Sequence, residues 1–490
     1  MSLISNQRPR LGALLFCTVL GTCHLPVLAA EAAPMAKPAF AIAEKIQVHA
    51  VADQLNAFLG KAVEWVDTPA SRVPVSSIRQ RIQAAVMAHP EVRLALEQQQ
   101  TASQVTREAF AGFLPQISTN VDTGRRRFDL VSTPYSFMPA LEQKSSAIGI
   151  NASQLLYDFG AVGGRLDAQT SRGTAADARA VARSSELTLR ALTAWHELFR
   201  ARQIVNLSEV NRLSRQQILN FIEEREQLGG SSRSDVLRVR ARLADAQAAL
   251  VFAENRLNAA DAAYREVFNT APPEDLPLPE AVAVDLGRYA DVAGLTRQNP
   301  LLAEARAQSE AAGYDAKSAA ASLLPSVRLE VSATRRDIGG GEGVIPGVDK
   351  SAVLVFKHNL YSGGAETARK RQAEHKAVES RLAEDSLRRQ VQRAIAQTLA
   401  DVKNSNAVVA ARRETVQVAA LAYEAVREQF AFRRGTLLDL LRAQEDLYLA
   451  GRDMIDGVVD HALARYRLLH LAMELTPLFE IAAPPPAGKQ

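Results

Sequence analysis

The chain is an internal duplication, and that constrains its fold more than any other feature. His89-Pro90-Glu91 opens a helical stretch that runs to Gly112-Phe113-Leu114-Pro115. Asn299-Pro300-Leu301 opens another that runs to Ser322-Leu323-Leu324-Pro325. Pro90 and Pro115 stand as far apart as Pro300 and Pro325, so the two stretches align without a gap. After each second proline the apolar period changes from helical to two. In the first copy Ile117, Thr119 and Val121 alternate with Gln116, Ser118, Asn120 and Asp122. In the second, Val327, Leu329, Val331 and Ala333 alternate with Ser326, Arg328, Glu330 and Ser332. A polar segment follows each strand, Asp129 to Ser145 or the glycine-rich Gly339 to Lys350, and then a strand returns. Ile148, Ile150 and Ala152 alternate cleanly on the first return; Ala352, Leu354, Phe356 and Leu360 alternate less cleanly on the second, against Val353 and Val355. The returns end alike, in Tyr157-Asp158-Phe159-Gly160 and Tyr361-Ser362-Gly363-Gly364.

Strands of this length suffice to cross a bilayer when tilted, and the same alternation also suits a half-buried soluble sheet. Long helical patterns follow, without proline from Gly164 to about Gln227 and from Gly364 to about Arg434. Unbroken, each would reach roughly 95 to 105 Å. Leu387, Val391, Ile395, Leu399 and Val402 form one apolar stripe, and Leu192, Trp195 and Phe199 begin another. Both are expected to be helix–helix seams. Each long helix breaks and restarts, at Leu228-Gly229-Gly230-Ser231-Ser232 and at Arg433-Arg434-Gly435-Thr436. Ser232 with Asp235, and Thr436 with Asp439, have capping-box spacing, so each pair of helices is predicted to be an antiparallel hairpin.

The predicted organisation starts with a signal peptide over 1–30 and an extension over 31–74. A first repeat covers 75–271, with a strand hairpin at 115–157 and a helical hairpin at 164–269. After a linker over 272–287, a second repeat covers 288–477, with corresponding hairpins at 325–361 and 364–474. A disordered tail over 478–490 ends the chain. The signal is read from Arg8 and Arg10, the apolar run Leu11 to Leu20, and small residues at Ala29 and Ala30. Cleavage there would remove Cys17 and Cys23, the only cysteines, and with them any disulfide or thiolate metal site. Leu20-Gly21-Thr22-Cys23 approximates a lipoprotein cleavage box, but Thr22 fits it poorly.

The order of helix, strand hairpin, long helix and helical hairpin, twice over, resembles the TolC family of outer-membrane efflux and secretion channels. The resemblance covers about Val75 to Pro477, and is most specific from Gln429-Phe430 through Leu437-Leu438-Asp439-Leu440-Leu441 to Ala443-Gln444. It implies a mainly α protein with a membrane β part. Long antiparallel coiled helices form a periplasmic α-barrel, and four strands per chain enter a trimeric twelve-stranded β-barrel. It further implies a homotrimer embedded in outer-membrane lipid and localised to the outer membrane with an extension into the periplasm. Its partners would be a periplasmic adaptor (membrane fusion) protein and an inner-membrane ABC or other transporter. In that family acidic residues just after the hairpin turns narrow the periplasmic entrance, and Asp235 and Asp439 match those positions. Capping is the other role open to both carboxylates, at helix starts where the dipole favours them. The chain departs from the family by placing Arg442, and Arg238 in the first copy, where a second acidic residue is usual. The tip glycine is displaced too: Arg433 stands where glycine is expected, and Gly435 two residues later. The expectation is a mixed-charge constriction in which Asp439 and Arg442 pair within or between subunits.

Other chemistry finds no residues to carry it. The net charge of +4 is interspersed rather than gathered into a stripe, so no nucleic-acid partner is expected. The histidines His49, His89, His196, His358, His375, His461 and His470 lack metal-ligand spacing. There is no phosphate-binding loop and no nucleophile elbow, and Gly339-Gly340-Gly341-Glu342-Gly343 opens no helix. No enzyme activity and no cofactor are expected. A passive export duct is the leading reading, serving type I protein secretion first and small-molecule efflux second. A soluble periplasmic coiled-coil scaffold is the more distant one.

Overall fold

The computed structural model describes residues 75–128, 141–279, 282–340 and 343–481, all within a compact unit spanning Gln47–Gln490. The signal peptide, the extension, parts of both strand-to-strand connections and the tail from 482 onward lie outside the described residues.

The duplication reappears element by element. Helix α1 (Val75–Ala88) leads to α2 (Pro90–Phe110), strands β1 (Gln116–Phe128) and β2 (Leu141–Tyr157), and helices α3 (Ala161–Gln227) and α4 (Arg233–Phe268). The second copy runs α5 (Val292–Gln298), α6 (Pro300–Ala321), β3 (Ser326–Gly340), β4 (Gly343–Lys357), α7 (Ala365–Ala431) and α8 (Leu437–Leu471), with a final short α9 (Leu475–Leu478). His89 and Asn299 cap α2 and α6 alike. Each side chain accepts the backbone N–H two residues on, at 3.2 Å and 3.0 Å, and each is followed by proline at the first helical position, where no N–H is needed. Helices α3 and α7 each span 67 residues, about 100 Å of unbroken helix. Both start after a left-handed glycine, Gly160 or Gly364. At the start of α3, Asp158 accepts from the N–H of Gly160 at 3.0 Å and of Val162 at 2.6 Å, satisfying donors the helix itself cannot.

The seams follow the stripes read in the sequence. Val391, Ile395 and Val402 of α7 are buried, as are Leu192, Trp195 and Phe199 of α3. Helix α3 packs on α2, α4, α6 and α8, and α7 on α6 and α8. Around the middle of α3 an aromatic core gathers. Tyr264 stacks on Phe268 at 4.2 Å, Trp195 leans on both, and Tyr466 touches His196 and Phe479. Trp195 donates its indole N–H to the Pro277 carbonyl at 3.1 Å, and Leu276 and Leu278 are buried beside it. Part of the segment expected as a plain linker is therefore fastened to this core. The tail differs from expectation in the same way. Phe479 and Ile481 are buried: past the turn at Met473, Phe479 meets Tyr466 of α8, and Glu480 is held by Arg79 and Gln83 of α1.

The strands form one antiparallel sheet in the order β1-β2-β3-β4, with β1 and β4 at the edges. Its register sorts the side chains by chemistry. One face carries the rows Ile117–Ala152–Val331–Ala352 and Gln154–Leu329–Leu354, with Ile148 and Ile150 more than half exposed. The other face carries Ser118, Asn120, Asn151, Ser153, Ser332 and Thr334, with Asn151 donating to Asn120 at 3.0 Å and Ser332 bonded to Ser351 at 2.8 Å. Gly149 sits under this polar layer. A Cβ there would lie 2.8 Å from Asn120 Oδ1 and 2.9 Å from Thr334 Oγ1, so the position has no room for a side chain. A bulge at Leu156 shifts the register between Leu155 and Tyr157, just before the last pair of β2 with β3, Tyr157 with Val327.

Candidate functional site

The residues singled out in the sequence lie at the two turns that join α3 to α4 and α7 to α8. Both long helices end in the same hydrogen-bonded motif. Gly230 N–H donates to the Arg225 carbonyl at 2.7 Å and Gly229 N–H to that of Glu226 at 2.9 Å. Arg434 and Arg433 repeat these bonds to Gln429 and Phe430, at 2.8 Å and 3.1 Å. The motif needs one left-handed residue. Gly229 supplies it at φ 72°, and Arg433 supplies it at φ 57° against the preference of a side chain. Gly435 has a different task. A Cβ there would lie 3.2 Å from the Phe430 nitrogen and 3.3 Å from Gln429 Cβ, so it lets the turn close against the end of α7. The displaced glycine thus reflects two demands, left-handed backbone and close approach, met by two different residues.

The restarting helices are capped as their spacing predicts. Asp235 N–H donates to Ser232 Oγ at 3.2 Å, and Ser232 N–H donates back to Asp235 Oδ2 at 3.3 Å, a complete capping box. Asp439 N–H donates to Thr436 Oγ1 at 3.2 Å, and the Thr436 hydroxyl donates to Asp439 Oδ2 at 2.6 Å. Arg238 lies 3.6 Å from Asp235, one turn on. Arg442 is exposed and has no ionic partner among the described residues, so Asp439 and Arg442 do not pair within the chain. The copies are alike in backbone and different in charge: a neutralised carboxylate at one tip, a separate anion and cation at the other.

Two features near the tips escaped the sequence reading. Arg225 lies over the rings of Phe221 on its own helix and Phe430 on α7, 5.6 and 5.9 Å from their centroids, and the rings meet edge-on at 6.2 Å. This cluster ties the end of α3 to the end of α7. Farther along α3 the apolar stripe is interrupted by Ser208, Asn211, Ser214 and Arg215, all buried. They meet α8. Arg215 pairs with Glu445, Gln444 donates to Ser214 at 2.7 Å, and Ser208 bonds the Tyr448 hydroxyl at 3.1 Å. Burial pulls the Arg215 pKa below the usual guanidinium value, with Glu445 opposing the shift. Four polar residues recurring at helical spacing inside an apolar stripe were the available signal.

These surfaces offer a polar sheet face, an apolar sheet face and charged turns at the far end of two long hairpins. Among the described residues no helix is long and apolar enough to cross a membrane.

Comparison with known proteins agrees. Residues 81–270 and 295–470 match the family described as outer membrane efflux protein. The chain is 25% identical over 369 residues to the outer membrane efflux protein BepC of Brucella suis, covering 75% of this chain and 79% of that one. It is 25% identical over 394 residues to the alkaline protease secretion protein AprF of Pseudomonas aeruginosa, covering 77% and 80%. The crystal structure of the outer membrane protein VceC from Vibrio cholerae superposes with a TM-score of 0.70 at 19% identity, covering 81% of this chain and 96% of that one, which establishes a shared fold.

Proposed function

The chain belongs to the outer membrane efflux protein family, and from that premise we propose that three copies form the exit duct of a tripartite export machine whose cargo is protein. It is an outer-membrane channel protein, not an enzyme, and reaches from the outer membrane into the periplasm. The observation that carries the proposal is the sorted sheet with open edges. Strands β1 and β4 leave unpaired N–H and C=O groups, which lipid does not tolerate. Closure with two further copies satisfies them, puts the apolar face toward lipid and the polar face toward a water-filled passage. The same assembly covers the first half of α7, where Val378 and Leu382 are more than half exposed in the single chain.

The turns at Asp235 and Asp439 mark the periplasmic end of the duct, and with Arg238 and Arg442 they line its constriction, held in shape by Gly435. Capping and constriction are compatible roles, since each carboxylate uses one oxygen for the cap. Because the Asp235 charge is matched and Arg442 has no ionic partner among the described residues, this entrance selects weakly between ions. Replacing Arg442→Asp is expected to raise cation selectivity in planar-bilayer recordings. Unchanged selectivity and conductance would remove these residues from the constriction.

The likeness to a protease secretion protein supports protein cargo, delivered by an inner-membrane ABC or other transporter through a periplasmic adaptor. Small-molecule efflux is the second reading, supported by the likeness to BepC. Mass spectrometry of culture supernatant from the host bacterium with and without the gene separates them. Loss of one large secreted protein, with lysis markers unchanged, is the expected result, and an unchanged secretome would transfer the duct to small-molecule efflux.

A further inference from the structure

The apolar face of the sheet ends in the same way on all four strands. Followed outward from the helices, it carries no charge until Arg125 on β1, Lys144 on β2, Arg335 on β3 and Lys350 on β4. All four side chains are exposed. Arg335 lies 3.5 Å from Asp337 of its own strand, whereas Arg125, Lys144 and Lys350 have no ionic partner among the described residues. Arg125 and Lys144 stand directly opposite each other in the register. Like charges in that position repel and weaken a sheet unless an anion lies across them. The opposite face is more evenly mixed: the register puts Arg126, Arg328, Arg336 and Lys357 on it with Asp122, Glu330 and Asp349.

The other end of the apolar face is aromatic, with Tyr157 and Phe356 in the last rows before the helices, both more than half exposed. From there the cations lie about 20 Å along β4 and about 40 Å along β2, at roughly 3.3 Å per residue. At a strand tilt of about 40° these become about 15 Å and about 31 Å along the membrane normal, so against an apolar band roughly 25 Å tall the cations span its outer part and its far margin. Apolar surface closed by aromatics on one side and by exposed cations, three of the four without an ionic partner among the described residues, on the other has a specific complement.

We propose that Arg125, Lys144, Arg335 and Lys350 form a lipid-facing basic belt that binds the phosphate-bearing headgroups of anionic lipid in the leaflet farther from the helices. The inference rests on closure of the sheet into a membrane barrel. The belt fixes the depth of the barrel, because moving it along the membrane normal would draw the cations into hydrocarbon or the aromatic rows into water. Headgroup phosphate also relieves the Arg125–Lys144 repulsion, so lipid contributes to the strength of the β1–β2 pairing.

The test uses the full-length protein purified in a neutral detergent. Its melting temperature is followed while phosphatidylglycerol, phosphatidylcholine or inorganic phosphate is added. Wild type is expected to be stabilised by phosphatidylglycerol and not by the other two. A variant carrying Arg125→Gln, Lys144→Gln, Arg335→Gln and Lys350→Gln should need at least ~tenfold more phosphatidylglycerol for the same shift. A variant with Arg125→Lys and Arg335→Lys should respond as wild type does. An unchanged response of the glutamine variant overturns the belt, as does equal stabilisation by phosphatidylcholine. Stabilisation by inorganic phosphate alone assigns the cations to a free anion and overturns the lipid reading. If the fourfold variant does not fold, Lys144→Gln with Lys350→Gln is expected to show a reduced phosphatidylglycerol response, and an undiminished one again overturns the belt. Wild-type protein that leaves membranes with carbonate and no detergent would instead defeat the barrel itself.

Discussion

At the two hairpin tips one backbone position is held by Gly229 and by Arg433, both left-handed. A side chain in that conformation costs about 1 kcal/mol relative to glycine. Arg433→Gly is therefore expected to stabilise the protein by about 1 kcal/mol in chemical denaturation, with Gly229→Arg destabilising it by a similar amount. Opposite signs at equivalent positions are the signature; equal signs would refute the equivalence. A second residue-scale consequence lies in the core. His196 is fully buried, its Nδ1 2.7 Å from the Leu192 carbonyl, and burial lowers its pKa from 6.5 to about 4. Between those values the unfolded chain takes up a proton that the folded chain refuses, so stability falls as the pH drops from 6.5 toward 4. The full effect is about 3 kcal/mol, and His470, also lowered by burial, acts in the same direction. His196→Leu should flatten the dependence of melting temperature on pH across this window. An unaltered slope would contradict the assignment. The caps at Asp235 and Asp439 were legible from spacing. The pairing of Asp235 with Arg238, and its absence between Asp439 and Arg442, was not, because identical i,i+3 spacing leaves rotamers free on an exposed helix.

Between elements, the seams combine apolar stripes with one polar layer. The stripe from Leu387 to Val402 was readable because its period is that of a helix. The layer at Arg215 depends on what α8 brings to α3, and no local pattern states which helices will meet. Glu445→Gln would leave a buried guanidinium without the carboxylate that pairs with it. The expected loss is about 2 kcal/mol, toward the low side for a buried pair because Glu445 itself is 40% exposed. Arg215→Met together with Glu445→Gln should recover part of that loss, which a purely steric role for Arg215 would not allow. In the sheet, β4 alternated poorly in sequence because Val353 and Val355 are apolar on the face that is otherwise polar, and only pairing with β3 assigns them a side. Gly149→Ala tests the polar layer. The added Cβ would crowd Asn120 and Thr334, and a loss of about 1–3 kcal/mol is expected. The same change at Gly124, where a Cβ meets nothing within 4 Å, should be nearly silent.

At the scale of the whole molecule, duplication supplies two strand hairpins and two helical hairpins per chain, and neither set closes on itself. The repeat was visible from paired prolines alone, and the architecture follows because each half has the same unmet needs: sheet edges to pair and helix faces to cover. What the sequence left undecided is the cargo, since a wide passage contacts its contents without a pocket. Three chains are proposed to enclose one water-filled passage. Recording from planar bilayers containing the detergent-purified protein tests it most directly. Discrete, uniform conductance steps from an assembly with the mass of three chains are expected, and small ones if the tips narrow the entrance. A protein that associates with the bilayer yet produces no steps, or steps only from a different number of chains, would contradict it.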